Sequence, residues 1–155
     1  MRLLVAAIGQ KMPAWVEQGV QEYQKRFPRH LDFEIRALPL PSRQSGKPLE
    51  RLQQKETESL LKASNGCFRI ALDEKGKQWT TRNLAARLED WQMQGEDIAF
   101  LIGGPDGLSA ECLQACQQKW SLGLLTMPHP LVRVMLAEQL YRAWTITTNH
   151  PYHRE

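Results

Sequence analysis

A run of five apolar residues, Ile98–Ile102, is the feature that most constrains the fold of this chain. The run is too short for a helix and has the length of a strand buried on both faces, as in a parallel sheet. Gly103, Gly104 and Pro105 end it abruptly. Two glycines leave backbone amides and carbonyls open to a flat ligand, and open α/β sheets bind ligands beyond the carboxyl ends of their strands. The alternative is an ordinary tight turn, because a short glycine-rich turn is a weak signal.

The rest of the chain alternates between strand and helix patterns. We predict strands over residues 2–8, 31–40, 67–72, 98–102 and 120–126, and helices over residues 13–27, 49–63, 80–91, 109–118 and 131–147. This order predicts an α/β fold with a mostly parallel sheet and helices on both faces. Because no linker interrupts the pattern, we expect one domain over residues 1–155.

Composition excludes several classes of protein. The chain is 42% hydrophobic and 24% charged, and no apolar stretch approaches the roughly 20 residues that span a bilayer. The apolar N-terminus ends at Gly9 and Lys11 without a small-residue cleavage site, so we interpret it as a strand of a cytoplasmic protein with no membrane partner. Cys67, Cys112 and Cys116 form no CxxC pair, and we expect reduced thiols and no metal.

Positive charge is concentrated in the first half of the chain. Residues 1–65 contain 11 Lys and Arg against 7 Asp and Glu, whereas residues 66–155 contain 9 against 10. A basic half beside a near-neutral half suits a chain that contacts an anionic polymer with one part and does chemistry with the other. In the polar loop of residues 41–48, Arg43 and Lys47 could contact phosphate. Ordinary solvated surface charge is the alternative.

A second candidate loop follows the fifth predicted strand, which Gly123 interrupts. Met127, Pro128, His129 and Pro130 come next, and we predict a stiff, non-helical bend there, because each proline restricts the residue before it. The last predicted helix is apolar on more than one face, so we expect a partner subunit to cover one side. The sequence has no GxxxxGK[ST], GxGxxG, GxSxG or HExxH pattern, which weakens nucleotide-binding and hydrolase interpretations. A compact cofactor held mainly by main-chain groups fits this pattern best.

The glycines of FLIGGP and the C-terminal sequence LTMPHPLVRVMLAEQLYRAWTITTNHPYH resemble the SPOUT class of RNA methyltransferases. The similarity covers the whole chain, including LVAAIGQKMPAWV near its start, and is most specific at the C-terminus. It implies an α/β fold with a deep trefoil knot, a homodimer and S-adenosylmethionine as the cofactor. Within the class, the chain is most similar to enzymes that methylate N3 of a pseudouridine in 23S ribosomal RNA, so the implied partner is 23S rRNA in the ribosome.

The resemblance also implies site residues. The cofactor site would comprise Leu72, Asp73, Gly103, Gly104, Gly123, Leu124, Leu125, Thr126, Met127 and Pro128. Candidates for removing the N3 proton or holding the RNA are His129, Glu138, Arg142, Tyr152, His153 and Arg154. Two simpler interpretations stay open: an idle chain end and a plain surface ion pair between Glu138 and Arg142. The alternative function is a non-catalytic RNA-binding or ribosome-assembly factor with a vestigial pocket.

Overall fold

A computed structural model describes residues 1–44 and 46–153. Its strands are β1 (Arg2–Ile8), β2 (Asp32–Leu38), β3 (Phe68–Gln78), β4 (Ile98–Ile102) and β5 (Gln118–Ser121). Its helices are α1 (Ala14–Gln24), α2 (Leu49–Ala63), α3 (Thr81–Gln94), α4 (Ala110–Gln114) and α5 (His129–Thr147). The strands form one sheet in the order β2-β1-β4-β3-β5, and every pair of neighbours is parallel. The predicted α/β fold is therefore confirmed, and the knot implied by the resemblance stays a prediction.

The sheet is covered on both faces, as its apolar central strands require. Successive side chains of a strand point to opposite faces, so Leu3 and Val5 of β1 belong to one core and Leu4 and Ala6 to another. The first core includes side chains of α1, α3 and α5, and the second includes side chains of α2 and α4. This arrangement confirms the prediction of helices on both faces.

The predicted fifth strand and the helix before it are both longer than the real elements. The strand ends at Ser121 instead of continuing to residue 126, and the helix covers only Ala110–Gln114. The Ser121 hydroxyl donates to the Gly123 carbonyl at 2.9 Å and accepts from the Gly123 amide at 3.2 Å. Because Gly123 adopts a φ of +151°, this turn leaves the sheet, and residues 122–127 form a loop beyond its edge.

The rigid bend predicted over residues 127–130 is also shorter than expected. Pro128 is the N-cap of α5 with extended backbone angles, and both His129 and Pro130 lie in the first turn of the helix. A proline is tolerated there because the first amides of a helix have no intrahelical acceptor. The prediction of a non-helical His129 was therefore wrong.

Strand β3 continues past the predicted end at residue 72, but with an irregularity. Leu72 and Lys77 both pair with Trp120 of β5, so residues 73–76 bulge out of the ladder. Bulges are common beside functional sites, where they redirect side chains. This one places Asp73 and Glu74 at the edge of the sheet, next to the end of β4.

Among the described residues, no helix has the length and apolar character needed to cross a bilayer.

Candidate functional site

A cavity of about 470 Å³ lies where β4 and β5 end and where the bulge of the neighbouring strand β3 begins. Three chain segments form most of its wall: residues 72–74, 102–108 and 120–127, the last without Leu124. Its volume falls within the range of about 300–1,000 Å³ typical of small-molecule sites. The three segments meet there because β4 and β5 end on either side of the β3 bulge in a parallel sheet.

Most of the residues assigned to the cofactor from sequence surround this one cavity. The lining includes Leu72, Asp73, Gly103, Gly104, Gly123, Leu125, Thr126 and Met127. Two assigned residues do not line it. The Leu124 side chain is 90% exposed, and Pro128 caps α5.

Acidic side chains contribute polar groups to a lining of mixed polarity. Glu74 and Asp106 line the cavity beside Asp73. Sequence reasoning missed both, although each lies within four residues of an apolar strand segment. The indole Nε1 of Trp120 is buried and has no hydrogen-bond partner within the described part of the chain. The cavity can therefore accept a ligand with apolar, hydroxyl-bearing and positively charged parts.

Gly103 and Gly104 are required by contacts within the protein as well as by an open cavity. A β-carbon on Gly103 would lie 2.7 Å from the carbonyl carbon of Gly107. The Gly107 amide in turn donates to the Gly104 carbonyl at 3.0 Å. A β-carbon on Gly104 would lie 2.7 Å from Oε1 of Glu56. We call residues 103–109 the cavity loop, and its tight fold depends on both glycines.

A buried carboxylate anchors the cavity loop from behind. Glu56 of α2 is 2% exposed, and its Oε2 accepts from Nη2 of Arg43 at 2.9 Å. The same nitrogen donates to Oδ2 of Asp106 at 2.8 Å. Oε1 of Glu56 is buried and without a hydrogen-bond partner among the residues described. We call these three side chains the Arg43 latch, and it fixes the β2–α2 loop to the cavity loop.

The sequence suggested that Arg43 could contact phosphate. In the structure its guanidinium instead bridges two carboxylates of its own chain. Its hydrogen bond to Glu56 is the largest influence and raises the pKa of Arg43. Burial opposes this rise, and the charge of Glu56 and the contact with Asp106 add to it. Arg43 is therefore a structural cation in this conformation. The phosphate contact that the sequence suggested for it would require the latch to open.

His129 stands in the wall of the cavity as a neutral group. Burial, and then the charge of Arg133, lower the pKa of His129 to about 4, although a hydrogen bond with the Gly103 backbone opposes this shift. Its Nε2 accepts from Nε of Arg133 at 3.2 Å. Arg133 is only 3% exposed, and its Nη2 donates to the Gly9 carbonyl at 2.7 Å. His129 and Arg133 thus connect the start of α5 to the ends of β1 and β4.

A second cavity of about 430 Å³ adjoins the first. Residues 8–12 at the end of β1 form one side, and Leu40 and Pro130 contribute to the wall. Gly104, Pro105 and His129 line both cavities. Two ligands could therefore lie on either side of the same turn.

Three of the remaining candidates from the C-terminal sequence meet at one point. Oε1 of Glu138 accepts from Nε of Arg142 at 2.8 Å and from the Tyr152 hydroxyl at 3.1 Å. The Arg142 guanidinium lies 5.0 Å from the centre of the Tyr152 ring. Burial, and then hydrogen bonding with Tyr23 and the charge of Glu138, raise the pKa of Tyr152. We call Glu138, Arg142 and Tyr152 the tail cluster.

His153 lies close to the tail cluster in sequence, with its Nδ1 3.3 Å from Oγ1 of Thr145. Arg154 lies outside the described residues. No member of the tail cluster lines either cavity of its own chain. With a rise of 1.5 Å per residue, Glu138 is about 14 Å along α5 from His129. One chain alone does not bring the tail cluster to the cavity.

In residues 1–44 and 46–153, no group of three or more His, Cys, Asp or Glu side chains is arranged to hold a metal ion. The three cysteines are free thiols.

Comparison with known proteins places the chain in a family. Residues 1–153 match the family model described as "Predicted SPOUT methyltransferase". The chain is 51% identical over 156 residues to Ribosomal RNA large subunit methyltransferase H of Hahella chejuensis (strain KCTC 2396), with all of both chains covered.

Two solved structures share the fold at low sequence identity. A probable methylase family protein from Haemophilus influenzae Rd KW20 is 10% identical with a TM-score of 0.60, over 99% of this chain and 70% of that one. A probable methyltransferase from Bordetella pertussis Tohama I is 13% identical with a TM-score of 0.60, over 91% of this chain and 93% of that one. The family match over nearly the whole chain shows that this protein belongs to the SPOUT methyltransferases.

Proposed function

We propose that this protein transfers a methyl group from S-adenosylmethionine to N3 of a pseudouridine in 23S ribosomal RNA. The observation that carries the proposal is the cavity formed by the ends of β4 and β5 and the bulge of β3 in a chain of the SPOUT family. The Hahella chejuensis relative, identical at half of its positions, is named for ribosomal RNA methylation. The pseudouridine and its N3 atom come from the sequence resemblance.

The residues of the cavity fit S-adenosylmethionine. Its volume of about 470 Å³ suits one compact cofactor. Apolar side chains such as Leu72 and Met127, together with the glycine backbone, suit the adenine ring, whereas Asp73, Glu74 and Asp106 suit the hydroxyls and positive charges. When bound, this cofactor supplies an electrophilic methyl group on a sulfonium.

The second cavity fits the acceptor base. It shares Gly104, Pro105 and His129 with the first, so a base there would lie beside the methyl donor. Correct placement of two reactants can lower a barrier by up to about 7–11 kcal/mol. Neutral His129 and the end of β1 would orient the base, with no charge at His129 to be desolvated.

Removal of the N3 proton calls for a base, which contributes about 10²–10⁴-fold in such reactions. The tail cluster, His153 and Arg154 supply the candidates. Glu138 is a carboxylate already hydrogen-bonded to Arg142 and Tyr152, and the arginine can hold RNA phosphate or an anionic base.

The tail cluster lies away from the cavity of its own chain, so the complete site requires a second copy of the protein. A homodimer would present the tail of one subunit to the cavity of the other. Leu124 and Leu125 support this arrangement, because they are 90% and 81% exposed on the rim of the cavity and need a cover. The small single chain offers little surface for RNA, so its substrate is the assembled ribosome, methylated in the cytoplasm.

The test is methylation of ribosomes by the purified protein. Ribosomes from cells that lack the gene are incubated with S-adenosylmethionine, and mass spectrometry of their 23S rRNA locates the product. We expect one added methyl group at N3 of a pseudouridine, and little methylation of protein-free 23S fragments. Efficient methylation of the free fragments would contradict the ribosomal substrate. Absence of heat in calorimetry with S-adenosylmethionine would instead favour the non-catalytic assembly factor.

A further inference from the structure

Helix α2 has two faces with different neighbours, and its inner face lies against the cavity loop. Nε2 of Gln53 donates to the carbonyls of Asp106 and Gly107, both at 3.4 Å. The hydroxyls of Thr57 and Ser109 lie 2.7 Å apart. Together with the Arg43 latch, these contacts make the position of α2 dependent on that of the cavity wall.

The opposite side of α2 carries three exposed cations: Lys47, just before the helix, and Arg51 and Lys55 within it. A spacing of four residues places side chains on the same side of a helix. The proximity of the Lys55 ammonium, and then the charge of Arg51, lower the pKa of Lys47. We call Lys47, Arg51 and Lys55 the cationic stripe.

The cationic stripe has no direct ion pair with a neighbouring carboxylate in the described part of the chain. Glu50 and Glu58 are the exposed acids of α2, yet the described residues contain no ion pair within 4.0 Å between them and the stripe. By contrast, Lys25 and Arg26 of the α1 region both pair with Glu22. Like charges on one helix side are destabilising, so this grouping favours a polyanionic partner.

We propose that the cationic stripe binds the phosphate backbone of the ribosomal RNA substrate and that α2 sets the distance between that RNA and the methyl-donor cavity. The inference rests on the proposed function for the identity of the RNA. Its own support is the two-sided helix: one face contacts the cavity loop, and the other presents unpaired cations. The partner is RNA because phosphates provide closely spaced negative charges for successive cations.

The test compares salt dependence of ribosome binding between matched variants. The triple variant K47Q/R51Q/K55Q removes the charge, and K47R/R51K/K55R keeps it. Lys25→Gln is the control, because Lys25 is an exposed cation at the end of α1, on the opposite face of the sheet from α2. Kd for ribosomes is measured across a salt series, and Kd for S-adenosylmethionine is measured by calorimetry.

For the triple glutamine variant we expect a ribosome Kd weaker on the order of 10-fold, and a slope of log Kd against log salt that is smaller by about 2–3. S-adenosylmethionine should bind as in the parent. The charge-keeping variant and Lys25→Gln should retain the parent slope. The proposal is overturned if the glutamine variant keeps the parent slope, or if the charge-keeping variant loses it equally.

The two proposals fail in distinguishable ways. If the parent protein methylates ribosomes and the glutamine variant binds them normally, only the role of the stripe is lost. If the parent binds ribosomes with a slope that depends on the stripe but transfers no methyl group, the stripe stands and the proposed function fails.

Discussion

The absent β-carbons of Gly103 and Gly104 have different neighbours, so the two glycines should not be equally sensitive to substitution. The obstacle at Gly103 is the backbone of Gly107, whereas the obstacle at Gly104 is the end of the Glu56 side chain. Backbone cannot move aside without unfolding the cavity loop. We expect Gly103→Ala to destabilise the protein by about 1–3 kcal/mol and to weaken S-adenosylmethionine binding, with a smaller loss for Gly104→Ala. Urea unfolding measures the stability, and calorimetry measures the affinity for S-adenosylmethionine. Parent values of both quantities for Gly103→Ala would contradict the prediction.

His129 should make stability depend on pH. Its folded-state pKa of about 4 lies below the ordinary value of 6.5, chiefly because it is buried. The free energy of unfolding is therefore highest above about pH 6.5. It should fall by about 2–3 kcal/mol as the pH is lowered towards 4, because the unfolded chain binds a proton there that buried His129 does not. Urea unfolding at about pH 7.5 and pH 4.5 should show this loss, and His129→Gln should reduce it. An equal pH dependence in parent and variant would exclude His129 as its source.

At the scale of elements, the Arg43 latch joins the β2–α2 loop, helix α2 and the cavity loop. Substitution of Arg43 and substitution of Glu56 should lower the free energy of unfolding by different amounts. Arg43→Gln leaves the carboxylate of Glu56 buried without a counter-charge. Glu56→Gln leaves Arg43 paired with Asp106 and 30% exposed. Removing one partner of a buried pair costs up to about 3–5 kcal/mol, and partial exposure should reduce this to about 1–3 kcal/mol for Arg43→Gln.

A double-mutant cycle tests the latch. We expect Glu56→Gln alone to cost less than Arg43→Gln, and the double variant to be more stable than Arg43→Gln alone. The free energies of unfolding in urea give the coupling. Strictly additive effects would mean that the two side chains act independently.

Three elements have the same first and last residues in the structure as in the prediction from sequence. Strand β1, helix α2 and strand β4 begin and end where the sequence predicts, because their apolar runs or helical spacing stop at a proline, a glycine or a polar residue. The end of β5 was predicted wrongly because Ser121 binds its own backbone two residues later. The bulge of β3 depends on pairing with Trp120, 48 residues after Leu72, and no local signal marks it.

At the scale of the whole molecule, a shared site in a homodimer predicts complementation between inactive variants. Asp73→Ala alters the cavity and Arg142→Ala alters the tail cluster, so each homodimer should lose most of its methylation activity. When the two variants are mixed in equal amounts and exchange subunits freely, half of the dimers are heterodimers. Each heterodimer has one intact site. Activity should then recover to about 25% of the parent. The recovered activity is measured as methylation of ribosomes, and tagged copies verify that subunits exchange. Exchange without any recovery of activity would contradict a shared site.

The sequence by itself determined the alternation of strands and helices and the parallel sheet, and its resemblance to the SPOUT class implied most of the residues around the cavity. The first two features are local, because periodicity sets each element and a glycine or proline after it marks its end. Only the tertiary structure decided that β4, β3 and β5 are neighbours, that Arg43 bridges Glu56 and Asp106, and that the tail cluster lies away from its own cavity. Each of these depends on contacts between residues distant in the chain, and burial and pairing across such separations leave no pattern in the local sequence.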